Sequence, residues 1–392
     1  MPGSVSALRV MAVSYLVDRA GVHALVTTDT GMSWSRLKTR GDERARVDDL
    51  RRELRDTQSV SEGLTPRLEE FSRNWGRALL PPEILAQPPD VLVIVPNSWL
   101  HDLPLHLVQC DGKPLGALCG VTYASSHTLF IRCTKRNRQR TADYLAEFDT
   151  VPRWTGPRLN RSVILAMADV KLADDHLFEI VARAVEGAFT AGDSVNAGQA
   201  YISTAEMAGH DQQQIPDVLC LVAHGWIDPE NRLASGLLVL KDMSGLYRYF
   251  EVTANQKRFR LRLLPFAEPP ASLALARPTS LLSATQLEIF FECRQELVLL
   301  LGCSAGSGSL MRGDQPASLA ESFLQCGAVS VVAPLWDIDV RSTARWAECF
   351  LNAWHRGAMP KALAARYALR TTSDEGIGLE RAGALTLRGD WI

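Results

Sequence analysis

The 392-residue chain predicts an α/β fold, a three-layer α/β/α sandwich around a mainly parallel sheet. Two observations predict it. Short, almost continuous apolar runs recur along the chain: DVLVIVP (90–96), SVILAMAD (162–169), DVLCLVAH (217–224), LVLLL (297–301) and AVSVVAPLW (328–336). Such runs read as strands buried on both faces. Stretches with apolar residues at helical spacing separate them, and strands alternating with helices indicate a parallel sheet covered on both sides.

The elements follow in order. Residues 8–29 read as two strands around a DRAG turn. Two helices follow, a highly charged one at 42–55 and one with an apolar stripe at 65–80. PPEILAQPP (81–89) reads as a loop before the 90–96 strand, and 100–116 as a loop with a DGKP turn. The basic, apolar-poor segment 132–140 reads as a link between two halves. In the second half a helix over 174–189 follows the 162–169 strand. GLLVL (236–240) is a short strand, 241–279 is irregular, and SATQLEIFFECR (283–294) is a helix leading to the 297–301 strand. PASLAESFLQCG (316–327) is a helix with Pro near its start and Gly327 at its end, as helix termini prefer. Helices from about 341 to 356 and about 360 to 371 complete the pattern.

Composition narrows the function classes. Hydrophobic residues make up 46% and charged residues 22%, which suits an ordinary globular core. A net charge of −2 argues against wholesale nucleic-acid or anionic-membrane binding. No apolar run approaches the roughly 18 residues of a membrane span. The start, MPGSVSALRV, lacks a basic region followed by an apolar one, so no signal peptide is expected. The eight cysteines are scattered without a CxxC pair, which argues against a zinc ribbon or a thioredoxin motif. Most are expected to be buried and reduced in a cytoplasmic protein.

Chemistry in open α/β sheets concentrates at the carboxyl ends of strands. LVLLLGCSAGSG (297–308) is therefore suspect, because an apolar strand runs into a glycine-rich turn carrying Cys303 and Ser304. His224 ends another apolar strand, and small residues follow both sites: HGW and CSAG. If those strands are parallel neighbours, thiol and imidazole emerge on one edge, as cysteine-protease chemistry requires. The N–H groups of Gly225 and Cys303 would then form an oxyanion hole, worth roughly 3–4 kcal/mol per donor. A second reading takes GCSAG as a G-x-S-x-G nucleophile elbow with Ser304, followed by Asp337 or Asp339 and then His355. An elbow needs a helix at once, whereas GSGSLMRGDQP (306–316) intervenes. A phosphate loop is excluded, because the segment has no lysine.

At His224 and Cys303 the chain resembles the CHAT family, caspase-like cysteine peptidases related to caspases and separases. The resemblance extends over nearly all of the chain and rests on blocks in order. LHDLPLHLVQCDGKPLG followed by VTYASS is similar to a segment with Leu-Pro-Phe and Tyr-x-Pro-Ser. VAHGWIDPENRLASGLLV is similar to the histidine block, and LLLGCSAGSG occupies the place of the cysteine block. FLQCGAVSVVAPLWDIDVRST is similar to the next helix–strand segment, and LTLRGDWI to the last strand. The resemblance implies a caspase-like, pseudo-symmetric sheet, with an inactive half over 1–140 and a catalytic half over 141–392. It implies a regulated endopeptidase with nucleophile Cys303 and partner His224, acting on protein substrates without metal or organic cofactor. It also implies bacterial signalling or antiphage defence, with a separate activator protein or an upstream protease as trigger.

Three departures from the family pattern stand out. Ser304 occupies the place of a usual Glu, and Val340 the place of an acid that Asp337 or Asp339 flanks. Residues 241–279 are longer than the usual connection between the two blocks. A basic P1 residue would need an acid in the substrate pocket, which is expected around Trp336 with Asp228, Asp337 or Asp339 supplying the charge. Asp228, in IDPEN, also reads as a turn residue. Lys257, Arg258, Arg260 and Arg262 mark 241–279 as a possible activation or cleavage loop, with 132–140 as the other candidate. A catalytically silent module of the same fold is the remaining alternative.

Overall fold

The computed structural model describes residues 8–39, 41–55, 65–148, 162–167, 176–189, 193–199, 217–223, 225–226, 236–240, 248–254, 257–263, 279–290, 293–302, 309–310 and 316–392. One sheet of eleven strands organises them. In chain order these are β1 (Val10–Asp18), β2 (Gly21–Thr27), β3 (Met32–Arg36), β4 (Val91–Val95), β5 (Gly120–Tyr123), β6 (Ser162–Met167), β7 (Ser194–Gln199), β8 (Val218–Val222), β9 (Leu297–Leu300), β10 (Ser330–Pro334) and β11 (Leu385–Gly389). Their order across the sheet is β3-β2-β1-β4-β5-β11-β10-β9-β8-β6-β7.

Two parallel sets make up this sheet. β1, β4, β5 and β11 run one way, and β10, β9, β8, β6 and β7 run the other. The antiparallel β10–β11 ladder is the seam between them, pairing Ser330 with Gly389 and Pro334 with Leu385. The sheet therefore has two rims. At the front rim β6, β8, β9 and β10 end. At the back rim those strands begin, and β1, β4, β5 and β11 end.

Helices cover the second set on both faces: α4 (His176–Ala188), α5 (Ala284–Phe290), α6 (Leu319–Cys326), α7 (Val340–Leu351) and α8 (Lys361–Asp374). The alternation of side chains across a strand explains how. Leu219, Leu221, Val298 and Leu300 face one side, with Leu287 of α5 and with Phe323 and Leu324 of α6. Val218, Cys220, Val222, Leu297 and Leu299 face the other, with Val181 and Val185 of α4, Trp346 and Phe350 of α7 and Ala362 of α8. At the other end, α1 (Glu43–Arg55) and α2 (Pro66–Arg73) cover Met11, Val13, Tyr15, Val22, Ala24 and Val26. The opposite face of β1–β3 is open among the described residues, with Leu16, Met32 and Trp34 exposed.

Helix ends follow the local sequence. Ser318 caps α6 by accepting from the Glu321 N–H at 3.2 Å. Gly327 ends α6 at φ +132°, where a Cβ would lie 1.9 Å from the Cys293 carbonyl oxygen, so only glycine fits.

Segment 132–140 requires a correction. It is not a link but the middle of α3 (His127–Phe148), a helix that runs along the back rim. Its basic residues are consumed in docking. Arg136 donates to the carbonyls of Leu324 (2.6 Å) and Ala328 (3.4 Å), and Arg140 pairs with Asp217 at 2.6 Å. Thr134 and Asn137 donate to Asp390, which is fully buried. A charged helix with few apolar residues reads as a solvated link because its partners are backbone carbonyls and strand ends, which leave no periodic trace. The same docking removes 132–140 as a cleavage loop.

Residues 241–279 also hold regular structure. Arg248–Ala254 and Lys257–Leu263 form an antiparallel hairpin that carries Lys257, Arg258, Arg260 and Arg262, with Glu251 opposite Arg260. β3, β5 and β7 are strands without a counterpart among the expected elements, and 82–86, expected as loop, is a single helical turn.

Candidate active site

Three adjacent parallel strands, β8, β9 and β10, deliver their carboxyl ends to one stretch of the front rim. The β8–β9 register pairs Val218 with Leu297 and Leu221 with Leu300. The ladder continues past both strands, because the Leu301 N–H donates to the Leu221 carbonyl at 2.8 Å. Beyond it Gly302 meets Ala223: a Cβ on Gly302 would lie 2.5 Å from the Ala223 carbonyl oxygen and 2.6 Å from Leu237 Cδ2. Glycine at 302 is thus a requirement of close backbone approach.

His224, Asp228, Cys303 and Ser304 lie outside the described residues. What is described is their setting. The residue before His224 and the residue before Cys303 are in contact. Gly225 and Trp226 form a short antiparallel ladder with Leu237 and Gly236, and Gly236–Leu240 pairs in turn with Thr279–Ser283. This three-stranded ribbon brings buried Leu237 over Gly302. Leu237 and Gly302 escaped the sequence reading as rim-forming residues; the glycine that ends the apolar run was the available signal.

Residues 335–339 follow β10 at the same rim. Trp336 is buried, with its indole N–H donating to the Glu380 carbonyl at 2.7 Å, which gives its one polar atom a partner. Asp339 is the N-cap of α7, accepting from the Ser342 N–H (2.8 Å) and Oγ (2.6 Å). Asp337 is half-buried between them.

The histidine of the serine reading lies elsewhere. His355 is buried, its Nε2 2.8 Å from Asp193 Oδ2. Asp193 directly precedes β7, so the pair sits at the back rim, a strand length, on the order of 20 Å, from the turn after β9. Gly302, the last described residue before that turn, is thus about a strand length from His355.

Five of the described cysteines do not compete for the role of nucleophile. Burial pushes the thiols of Cys119 and Cys133 up to about 12 and raises those of Cys220, Cys110 and Cys349. A thiol that does not ionise near neutrality is a poor nucleophile. Among the described residues, no group of His, Cys, Asp and Glu could hold a metal ion, and no helix is long and apolar enough to cross a membrane.

Comparisons with known proteins follow the same lines. Among solved structures, the chain is similar to the Saccharomyces cerevisiae separase–securin complex at 11% identity and a TM-score of 0.44, covering 85% of this chain and 17% of that one. It is similar to the Arg-specific cysteine proteinase gingipain R (RgpB) at 10% identity and a TM-score of 0.41, covering 90% and 74%. The complex of Porphyromonas gingivalis RgpB pro- and mature domains gives 10% identity, a TM-score of 0.41 and coverages of 91% and 78%. The chain thus spans 17% of the separase chain it matches. No curated protein matches it in sequence. The CHAT-domain model matches residues 69–377, which take in the strands β4 to β10 and the blocks around His224 and Cys303, and the chain belongs to the CHAT family.

Proposed function

We propose that the chain is a regulated cysteine endopeptidase that uses Cys303 and His224. The observation that carries this reading is the contact of Gly302 with Ala223 at the ends of two parallel, register-matched strands. Each candidate residue is one peptide unit beyond that contact, and consecutive α-carbons are about 3.8 Å apart.

In this reading the Cys303 thiolate attacks a peptide carbonyl carbon, and the oxyanion accepts from backbone N–H groups near Gly225 and Cys303. The C–N bond breaks as His224 gives its proton to the departing amine. Water, deprotonated by the now neutral His224, cleaves the thioester and returns the thiol. No metal or organic cofactor takes part. The acid that would favour a basic P1 residue is Asp337, Asp339 or Asp228.

Substrates are proteins, and a separate activator or an upstream protease supplies the trigger, within bacterial signalling or antiphage defence in the cytoplasm. The first half of the chain, about 1–140 with α3 as its strut, is the inactive half, and 141–392 the catalytic one. The hairpin bearing Lys257, Arg258, Arg260 and Arg262 is the candidate activation loop.

Proteins cut in a proteome by the wild type and spared by Cys303→Ala test the reading. Covalent thiol-probe labelling of wild type, Cys303→Ala and Ser304→Ala identifies the nucleophile. Labelling lost in Ser304→Ala but not in Cys303→Ala would replace the cysteine, and no labelling or cleavage with activator present would leave a silent module.

A further inference from the structure

We propose that the cavity at the back rim, between β1, β4, α3 and α6, binds a small molecule carrying an oxyanion. Its volume is about 510 Å³, within the range of small-ligand sites. It opens at the carboxyl ends of β1 and β4. From β1 the chain passes to β2 on one side, while β4 lies on the other, so this is a point where the strand order reverses. Crevices at such points are where open α/β sheets take ligands. The proposed peptidase site is on the opposite rim, so the two readings stand separately.

The polar groups that converge here include donors, beside the Asn97 Oδ1, which accepts from the Val17 N–H, and the Ser126 Oγ, which accepts from the Leu129 N–H. Ser14 Oγ and His127 Nε2 are 2.8 Å apart at the wall. Ser126 precedes the 22-residue helix α3, whose amino end faces the cavity with partial positive charge. Arg132, one turn further, is exposed and has no ion pair among the described residues. The Gln325 amide completes the ring, while Tyr15 and Leu129 offer apolar surface for the body of a ligand. A lone ion would leave most of this volume empty.

Glu321 is the one acid that lines the cavity. It is 2% exposed and accepts from the Ser125 hydroxyl. Facing it are Arg388 of β11, Glu288 of α5 and Cys133 of α3. Burial raises its carboxyl to about 7, so it offers a neutral group to an incoming anion below that pH. Anion affinity should therefore fall as Glu321 ionises.

Calorimetric titration of the full chain with inorganic sulfate, against chloride at equal ionic strength, tests the proposal. Sulfate is the probe because it does not titrate near neutral pH. Saturable binding to one site with a dissociation constant at or below about 10 mM is expected. Arg132→Ala, a change at an exposed position, should weaken it about tenfold. Between pH 6 and pH 8 the affinity should fall, less steeply in Glu321→Gln, and His127→Gln, which removes a ring nitrogen from the wall, should weaken binding at both values. Sulfate that binds no better than chloride overturns the proposal, as does binding unchanged in both Arg132→Ala and His127→Gln. An unaltered pH slope in Glu321→Gln overturns the part assigned to that residue.

Discussion

Gly302, at the end of β9, packs its α-carbon against the carbonyl oxygen of Ala223, at the end of β8, so closely that a Cβ would stand 2.5 Å from that oxygen. The two residues that follow them in the chain are Cys303 and His224. The rim at this point tolerates no side chain, and a substitution that adds one tests whether the contact matters.

Gly302→Ala should destabilise the protein by about 1–3 kcal/mol, because the backbone carbonyl and Leu237 must both move. It should lower turnover by more than the loss of folded protein accounts for. Urea denaturation and the rate per folded molecule separate the two effects. Full activity would show that the contact does not set the site.

His355→Ala should cost about 3 kcal/mol, because it leaves Asp193 buried without its imidazole partner. Activity per folded molecule should persist, since the pair is at the back rim. Loss of catalysis in a fully folded variant would support a serine-type triad.

Asp339→Ala should cost about 1 kcal/mol through loss of the α7 cap. Asp337→Asn should reduce kcat/KM for peptides with a basic P1 residue about tenfold. Thermal unfolding of both variants, with kinetics on basic and neutral P1 peptides, checks the division of labour.

Glu321 gives stability a pH dependence of definite sign. Its folded carboxyl titrates near 7 because of burial, above its ordinary value of 4.5. Between those values the folded state holds a proton that the unfolded state has released, so this residue makes stability fall as pH rises through the window. The full effect is on the order of 3 kcal/mol. His106 acts in the other sense. Burial lowers it to about 4 from 6.5, so its contribution is lost as pH falls through that range. The two slopes oppose each other in the wild type. Glu321→Gln should therefore be the more stable chain at pH 8 relative to pH 5, by comparison with wild type in chemical denaturation at both values. Parallel curves would place the proton elsewhere.

Arg140→Ala should cost about 1 kcal/mol, since its pair with Asp217 is only half-buried. A double-mutant cycle with Asp217→Asn should recover most of that as coupling. Additive losses would show that the pair contributes no coupling to the docking of α3.

The parts of the molecule that were legible in the sequence are those where one residue's environment is uniform along an element. β4, β8, β9 and β10 are buried on both faces, and continuous runs of Val, Leu and Ile announce that without help from any other segment. The Gly327 end of α6 was legible for the same reason, because caps act within a few residues, whereas Pro316, expected near the helix start, lies before it in a short ladder with Leu310. β5 and β7 were not, since GVTY and SVNAGQ are too short or too mixed to show a period. For Trp336 and Asp339 the sequence records only their place after a strand. Whether such a side chain turns inward to a carbonyl or caps the next helix depends on neighbours it does not name.

By itself the sequence determined the α/β class, the strands buried on both faces and the two positions, 224 and 303, where an apolar run meets a small-residue turn. Only the tertiary structure decided which strands are neighbours and which way each runs. Those choices depend on ladder hydrogen bonds between segments far apart in the chain, as between Leu221 and Leu301, and such bonds leave no mark on local residue order. Strand direction brings the ends of β8 and β9 together, sends His355 to the opposite rim, and turns a basic segment that read as a link into the helix that ties the two halves of the sheet.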